Sequence, residues 1–248
     1  MIAVRAAGTT HTGCVRRTNQ DRYRSDAPVF VVADGMGGHA GGERASELAL
    51  GGFDRFNGAS VVEPESVLLA LRETNAEIVR QARLQPALAG MGSTVAGLAL
   101  VRVDGLVALA AVNVGDSRVY RWRRTAFEQI STDHSVVAEL IAAGQLAPEQ
   151  SSLHPERHVV TRALGIGADV EVDSWVLGPV AGDRFLVCSD GLTNELSDAD
   201  IAALLSAHPS PPAAVEALVE RALERGAKDN VTAHVVEVVP NEVQVATR

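Results

Sequence analysis

The sequence predicts an α+β fold. Three apolar runs, at 94–103, 106–114 and 117–123, follow one another with only short turns between them, which indicates an antiparallel meander. Helical patterns are collected in separate blocks, which cover 43–56, 65–84, a stretch from Ser197 onward, and 211–225. This order lacks the regular alternation of strand and helix that a parallel, doubly wound sheet requires.

The elements of the first half can be placed in order. A short apolar strand covers 30–33 and ends at Asp34, where the glycines that follow allow a sharp turn before the first helix. Apolar residues recur at helical spacing in 65–84. Asp104-Gly105 predicts a two-residue hairpin turn, and Ser135 is a typical N-cap for a short helix.

The second half has a less regular start. The segment 148–167 is polar and predicts an irregular loop. Strand patterns then return at 170–177, 184–189 and 230–239. Between the last two strands, Ser197 and Ser210 each precede a helical pattern and predict its first residues.

Composition and charge exclude several functional classes. The 248 residues are 46% hydrophobic, enough for a large core, and carry a net charge of −9, which argues against a nucleic-acid partner. No apolar signal segment opens the sequence, and no run reaches the roughly 18–20 apolar residues that span a bilayer. Cys14 and Cys188 form neither a disulfide framework nor a zinc motif. We therefore expect a cytoplasmic monomer with no nucleic-acid and no membrane partner.

Acidic residues stand at the ends of apolar strands. Asp34-Gly35, Asp190-Gly191 and Asp229-Asn230 have this position, and Asp116 is a fourth example. A single Asp-Gly pair is ordinarily a turn. Four such carboxylates, with no thiolate or imidazole cluster beside them, indicate instead an oxygen-rich site for a hard cation such as Mg²⁺ or Mn²⁺.

A nucleotide-binding pattern overlaps the first of these carboxylates. Gly35 to Ala40 matches the fingerprint G-x-G-x-x-A between a strand and a helix, and Asp54 lies near the distance expected for a ribose contact. Asp54, however, follows Gly51-Gly52-Phe53 in a helical stretch and not a second apolar strand. Asp34 would also place negative charge beside the pyrophosphate. A dinucleotide-binding oxidoreductase is therefore the alternative interpretation.

Three further side chains have two interpretations. Arg16 and Arg17 are either a solvated basic pair or the source of a guanidinium that binds phosphate. His39 is either a turn histidine with local hydrogen bonds or a general acid near the metals. Neither Cys188 nor any serine lies in a nucleophile motif, which suits a metal-activated water.

Short motifs in a fixed order cover nearly the whole chain. They are VRRTNQD at 15–21, ADGMGGH at 33–39, MGST at 91–94, NVGDSR at 113–118, TDHS at 132–135, TRALG at 161–165, CSDGL at 188–192 and DNVT at 229–232. In these motifs the chain resembles the metal-dependent type 2C serine/threonine protein phosphatases in their compact bacterial form. The resemblance implies a four-layer α-β-β-α sandwich of two antiparallel sheets flanked by helices. It also implies one phosphatase catalytic domain at 1–240, followed by a short C-terminal tail at 241–248.

The resemblance also implies a role for each site residue. The centre would hold two Mn²⁺ or Mg²⁺ ions, with ligands for a third. By position, the metal residues are Asp34, the backbone carbonyl of Gly35, Asp190, Asp229, Asp21 as a supporting ligand, and Asp116 with Asp190 for the third ion. Arg16 corresponds to the arginine that binds the substrate phosphate, and His39 to a histidine at the edge of the site that could be the general acid. The segment 154–167 corresponds to a flap over the site.

The implied reaction is hydrolysis of phosphoserine and phosphothreonine in proteins through a metal-bridging water. Phosphorylated proteins, including a serine/threonine kinase, are the implied partners. A non-catalytic phosphoprotein-binding module is a second alternative. Such a module would lack a metal ligand, whereas Asp34, Asp190 and Asp229 are all present.

Overall fold

The computed structural model describes residues 2–37 and 39–240, except for the side chains of Ile2, His39 and Ala40. Over these residues the strands are β1 Ile2–His11, β2 Asp21–Arg24, β3 Val29–Met36, β4 Gly92–Ser93, β5 Val95–Val103, β6 Leu106–Val114, β7 Arg118–Arg123, β8 Ala126–Gln129, β9 Asp173–Leu177, β10 Arg184–Cys188 and β11 Val231–Pro240. The α-helices are α1 His39–Gly51, α2 Pro64–Leu84, α3 Val136–Ala142, α4 Asp190–Thr193, α5 Asp198–Ala207 and α6 Pro211–Glu224.

The strands form two antiparallel sheets. The first sheet has the order β1-β11-β10-β7-β8, and the second has the order β2-β3-β5-β6-β9 with β4 paired to the end of β3. Helices α1 and α2 pack on the outer face of the second sheet, and α5 and α6 pack on the outer face of the first. The predicted α+β class and the four-layer α-β-β-α sandwich are both confirmed.

Alternate residues of the central strands face different layers. In β3, Phe30 and Val32 face the other sheet, whereas Val29 and Val31 face the helices. This follows from the two-residue period of a strand, and it explains why both faces of β3 are apolar. The layer between the sheets is completed by Leu98, Leu109, Val119, Phe185, Val187 and Val236, each at most 2% exposed.

Two strands at the beginning of the chain are not predicted by the sequence patterns. β1 pairs with β11 over ten residues, from Ile2 opposite Pro240 to His11 opposite Val231. β2 is only four residues long and pairs with β3. Both are rich in polar and small residues, so their strand conformation comes from tertiary pairing and not from a local pattern.

The helix predicted at 43–56 is wrong at both ends. Helix α1 begins at His39 and ends at Gly51, and Asp54–Phe56 forms a separate 3-10 turn. The first turn of α1 contains Gly41 and Gly42, whose low helix propensity hides it in the sequence. Packing of the helix against β3 overrides that propensity.

The predicted turn and cap residues are confirmed. Asp104 and Gly105 both have positive φ, 50° and 78°, as a type I′ hairpin turn requires. The hydroxyls of Ser135, Ser197 and Ser210 each accept a hydrogen bond from the backbone N–H three residues later.

Two expectations from the sequence concern membrane-spanning helices and the C-terminal tail. In the part of the chain that the structure describes, no helix has both the length and the apolar character needed to cross a membrane. The predicted tail at 241–248 lies outside the described residues, so the division into domain and tail stays a prediction.

His234 is a buried imidazole between the two sheets. Its exposed fraction is 0%, its ring is stacked on Phe30 at a centroid distance of 5.8 Å, and its Nε2 lies 2.8 Å from the Ser25 hydroxyl oxygen. Burial lowers the pKa of His234 to about 4. The folded protein therefore keeps a neutral imidazole at a pH where an unfolded chain is already protonated.

We expect this imidazole to reduce folding stability in mild acid. Because its pKa is lower in the folded state, stability is lost as pH falls from about 6.5 towards 4, with about 2 kcal/mol lost by about pH 5. Urea unfolding of the wild type and of His234→Gln at about pH 7.5 and 5 measures this loss, which should be smaller in the variant. His208→Gln is the control and should behave as the wild type. Equal losses in the wild type and His234→Gln would contradict the lowered pKa.

Candidate metal centre

The predicted carboxylates meet at one end of the space between the sheets. Strands β2 and β3 place Asp21 directly opposite Asp34 in antiparallel register. Asp190 begins α4 just beyond the end of β10, and Asp229 lies two residues before β11. Since β10 and β11 are neighbours in the facing sheet, the sandwich brings together four acidic residues that are far apart in sequence.

Asp21 is the most deeply buried of these residues, with 1% of its surface exposed. Its Oδ2 accepts hydrogen bonds from the hydroxyls of Ser189 and Thr232, both at 2.7 Å. Its Oδ1 is buried and has no hydrogen-bond partner in the described part of the chain. Burial is the main cause that raises the pKa of Asp21 to about 6, and the two hydroxyl bonds oppose this shift. The free oxygen is thus available to a cation or a water molecule.

Asp34 and Asp190 interact electrostatically across the two sheets. Burial raises the pKa of Asp34 well above its ordinary value, and the charges of Asp21, Asp190, Asp116 and Asp229 raise it further. The pKa of Asp190 is also raised, first by burial and then by Asp229. Repulsion among these carboxylates is the arrangement that a bound cation relieves.

The backbone of Asp34 is held by Ser93 at the end of β4 and by Thr94 just before β5. The Thr94 hydroxyl accepts a hydrogen bond from the N–H of Asp34 at 3.1 Å, and the Thr94 N–H donates to the carbonyl oxygen of Asp34 at 2.9 Å. The Ser93 hydroxyl also donates to that oxygen, at 3.1 Å. The motif that contains Ser93 and Thr94 therefore fixes the main chain at the predicted ligand.

Asp116 lies in the turn after β6, and this turn is fixed by His134. The N–H of Gly115 donates to His134 Nδ1 at 2.9 Å, and the N–H of His134 donates to the carbonyl oxygen of Gly115 at 2.9 Å. Burial raises the pKa of Asp116 to about 7, followed in effect by the charges of Asp190 and Asp133. The turn therefore brings Asp116 to Asp190, its predicted partner.

Gly35 occupies a position that admits no side chain. A Cβ there would lie 2.0 Å from the carbonyl oxygen of Gly42 in α1. The N–H of Gly35 donates to the carbonyl oxygen of Gln20 at 3.2 Å. The main chain after Asp34 is thus held between β2 and α1, which keeps the predicted carbonyl ligand next to the predicted carboxylate ligand.

Arg16 reaches the carboxylates. Its Nη2 donates to Asp229 Oδ2 at 2.6 Å, and this bond is the first cause of its raised pKa, to which Asp34 and Asp190 also contribute. The neighbouring Arg17 is exposed. The structure therefore places Arg16 at the centre, as the motif register predicts, while its role toward a phosphate stays a prediction.

His39 is the first residue of α1, and its side chain lies outside what the structure describes. Gly38, just before it, is also outside the described residues. The prediction that His39 stands at the edge of the site and acts as general acid therefore stays a prediction.

Several polar residues of the centre are missed by the sequence reasoning. Ser189 and Thr232 hold Asp21, as described above. Asn230 Oδ1 accepts a hydrogen bond from the N–H of Gln20, and its Nδ2 donates to two carbonyl oxygens of the loop before β2, all at 2.9 Å. Each lies within three residues of a predicted ligand at the end of an apolar strand. A serine, threonine or asparagine beside a strand-end carboxylate is the signal in the sequence that could have indicated these supporting hydrogen bonds, since a polar side chain buried there needs a partner.

The donor set fits a hard divalent cation. Every predicted donor is a carboxylate or carbonyl oxygen, which Mg²⁺ and Mn²⁺ prefer. In 2–37 and 39–240, no group of three or more His, Cys, Asp and Glu side chains by itself has the arrangement of a metal site. The fit rests instead on the unpaired Oδ1 of Asp21, on the raised pKa values of the carboxylates, and on the main chain at Gly35.

Comparison with known proteins agrees with the family that the sequence motifs indicate. The family model for protein phosphatase 2C matches residues 8–239. The serine/threonine protein phosphatase PstP of Mycobacterium tuberculosis is 36% identical over 96% of this chain, and the chain spans about half of that protein, 46% of its length. The serine/threonine phosphatase stp of Listeria innocua is 34% identical over 92% of this chain and 93% of its own length.

A solved structure agrees with the fold and carries metal ions. The catalytic domain of PstP in complex with two manganese ions has a TM-score of 0.84 and 33% identity to this chain, and the match covers 97% of this chain and 100% of that one. The resemblance indicated by the motifs is confirmed, and the chain belongs to the protein phosphatase 2C family.

Proposed function

We propose that this chain is a metal-dependent protein serine/threonine phosphatase, a phosphoric monoester hydrolase acting on phosphoserine and phosphothreonine. The observation that carries the proposal is that Asp21, Asp190 and Asp229 lie close enough to Asp34 for their charges to raise its pKa, and that Arg16 is ion-paired with Asp229. Such a centre combines cation ligands with a guanidinium for phosphate, and it needs no covalent nucleophile.

Each residue has a distinct task in this reaction. Two Mn²⁺ or Mg²⁺ ions, when bound, would supply an activated water and neutralise charge on the phosphoryl group. Asp34, Asp190, Asp229 and the Gly35 carbonyl would hold these ions, with Asp21 as support and Asp116 for a third. Arg16 would bind the phosphoryl oxygens and orient the substrate, because a guanidinium matches phosphate geometry. His39 would give a proton to the leaving alkoxide.

The two alternatives are less well supported. A dinucleotide site needs Asp54 at the end of a parallel strand, but Asp54 lies in a 3-10 turn and forms an ion pair with Arg24 at 2.7 Å. A non-catalytic phosphoprotein-binding module has no need for the buried carboxylates, whose repulsion would only reduce stability.

The biological setting is part of the same proposal. The substrates would be phosphorylated proteins, including a serine/threonine kinase, and the protein would act in cytoplasmic signalling as a monomer. The kinase is proposed because the reaction reverses what a kinase does. Hydrolysis of p-nitrophenyl phosphate and of a phosphothreonine peptide, with Mn²⁺ and with EDTA, tests the function. Activity that is unaffected by EDTA would contradict it.

We expect Asp190→Asn to impair metal binding more than Asp21→Asn. Asp190 is assigned as a ligand of more than one ion, whereas Asp21 is assigned only as a supporting ligand. Added Mn²⁺ should raise the melting temperature of the wild type strongly, that of Asp21→Asn less, and that of Asp190→Asn least. Activity should follow the same order, and the metal-free Asp190→Asn variant should melt at or above the wild-type temperature because one repelling charge is removed. A full Mn²⁺ response in Asp190→Asn would contradict the assignment.

We expect Arg16→Ala to lower kcat/KM by about 10- to 100-fold, as for loss of about 1.5–3 kcal/mol of charge-assisted hydrogen bonding. The ion pair of Arg16 with Asp229 is more than half exposed on the arginine side, so its loss should change stability little. Arg17→Ala is the matched control and should be near neutral. Equal effects of both substitutions on phosphopeptide kinetics would refute the register used to choose Arg16.

His39→Ala should impair poor leaving groups selectively. A threonine alkoxide needs a proton as it leaves, whereas p-nitrophenolate is a much weaker base and hardly needs one. Phosphopeptide hydrolysis should therefore slow much more than p-nitrophenyl phosphate hydrolysis, as measured by kcat on both substrates. An equal loss on both would assign His39 a structural role in the glycine-rich turn.

A further inference from the structure

Asn75 is a buried polar residue of α2 whose described side-chain hydrogen bonds all go to a distant segment. It is 1% exposed. Its Oδ1 accepts a hydrogen bond from the N–H of Gly165 at 2.8 Å, and its Nδ2 donates to the carbonyl oxygens of Gly167 and Ala168 at 3.0 and 3.1 Å. Both donor hydrogens and one acceptor site of the amide are thus used on one short stretch of main chain.

This stretch is the C-terminal end of the flap, residues 154–167. Next to it, Leu164 is fully buried and exchanges two backbone hydrogen bonds with Ser93, at 2.9 and 3.0 Å. Ser93 is the residue whose hydroxyl donates to the Asp34 carbonyl oxygen. The end of the flap is therefore held between helix α2 on one side and the support of the metal centre on the other.

The middle of the flap is attached to residues 134–136, and His134 in turn holds the turn that carries Asp116. The N–H of Thr161 donates to the carbonyl oxygen of His134 at 2.9 Å. The N–H of Val136 donates to the carbonyl oxygen of Val159 at 3.0 Å. His158 lies close enough to Asp190 to influence its pKa, so this part of the flap lies beside the carboxylates. Val159 and Ile166 are 44% and 60% exposed, and both belong to this segment that borders the site.

We propose that Asn75 is a positioning residue that holds the flap in place beside the metal centre and thereby sets the affinity for phosphorylated polypeptides. The inference rests on the proposed function. Ile166 lies between two residues that Asn75 binds directly, so loss of the amide would free an exposed apolar side chain next to the site. A polypeptide substrate extends beyond its phosphate and meets the flap, whereas a small aryl phosphate reaches only the centre.

Asn75→Asp and Asn75→Ala test the proposal in the full chain. Aspartate keeps the shape and the acceptor for Gly165 but turns an acceptor oxygen toward the carbonyls of Gly167 and Ala168. Thr74→Val is the matched control, because Thr74 is a buried neighbour whose described hydroxyl bond stays within α2, to Ala70. Assays are run with Mn²⁺ well below the melting temperature of each variant.

Both Asn75 variants should raise KM for a phosphothreonine peptide by about 10-fold, because a flap that has lost these hydrogen bonds holds the peptide less well. Their kcat/KM for p-nitrophenyl phosphate should stay within about twofold of the wild type, the range of a neutral surface change. Thr74→Val should change neither. Equal losses on both substrates, or no change on either, would overturn the positioning role.

Hydrogen exchange separates this proposal from the proposed function. The amides of 164–169 should exchange faster in Asn75→Ala than in the wild type and in Thr74→Val, whether or not any substrate is hydrolysed. Unchanged exchange of these amides would overturn the positioning role of Asn75 even in an active enzyme. If the wild type hydrolyses no phosphopeptide, the proposed function fails by itself. If Asn75→Asp does not fold, Asn75→Ser replaces it with the same expected shift in KM.

Discussion

The burial of several carboxylates close to one another is the constraint around which this molecule is built. Asp21, Asp34, Asp116 and Asp190 all have raised pKa values, and burial is the first cause in each case. Like charges at such a place separate unless a rigid frame prevents it. The frame here consists of strands that are apolar on both faces, so the sandwich provides the stiffness and the carboxylates provide the affinity for cations.

The polar residues around the centre make this frame specific. Hydroxyls of Ser189 and Thr232 fix one oxygen of Asp21 and leave the other free, and Thr94 fixes the backbone of Asp34. His134 does the same for the turn of Asp116. These contacts use backbone, hydroxyl and imidazole groups, and apart from Oδ2 of Asp21 they leave the carboxylate oxygens available. The main chain at Asp34, the turn of Asp116 and one oxygen of Asp21 are therefore held in place before a cation binds, and such preorganisation favours cation binding.

The sequence predicted the elements that carry their own signal. The strand before Asp34, the Asp104-Gly105 turn and the serine caps have local chemistry, and the strand-end carboxylates together predicted the centre. Strand β1 could not be predicted, because its ten residues are ordered by pairing with β11 and have no pattern of their own. Asn75 shows the same limit for the site: in the sequence it is one polar position of an amphipathic helix, and only the fold brings Gly165 to it.

The pairing of β1 with β11 has a consequence for how the chain folds. The two strands come from opposite ends of the described range, and β11 is also the partner of β10 in the middle of the first sheet. A nascent chain that has left the ribosome only as far as β9 contains Asp21, Asp34 and Asp116 but neither Asp190 nor Asp229. Pairing strands that lie so far apart in sequence slows folding. The first sheet and the complete set of carboxylates can therefore form only after β11 has been synthesised, when Asp190 and Asp229 join the three carboxylates that come earlier in the chain.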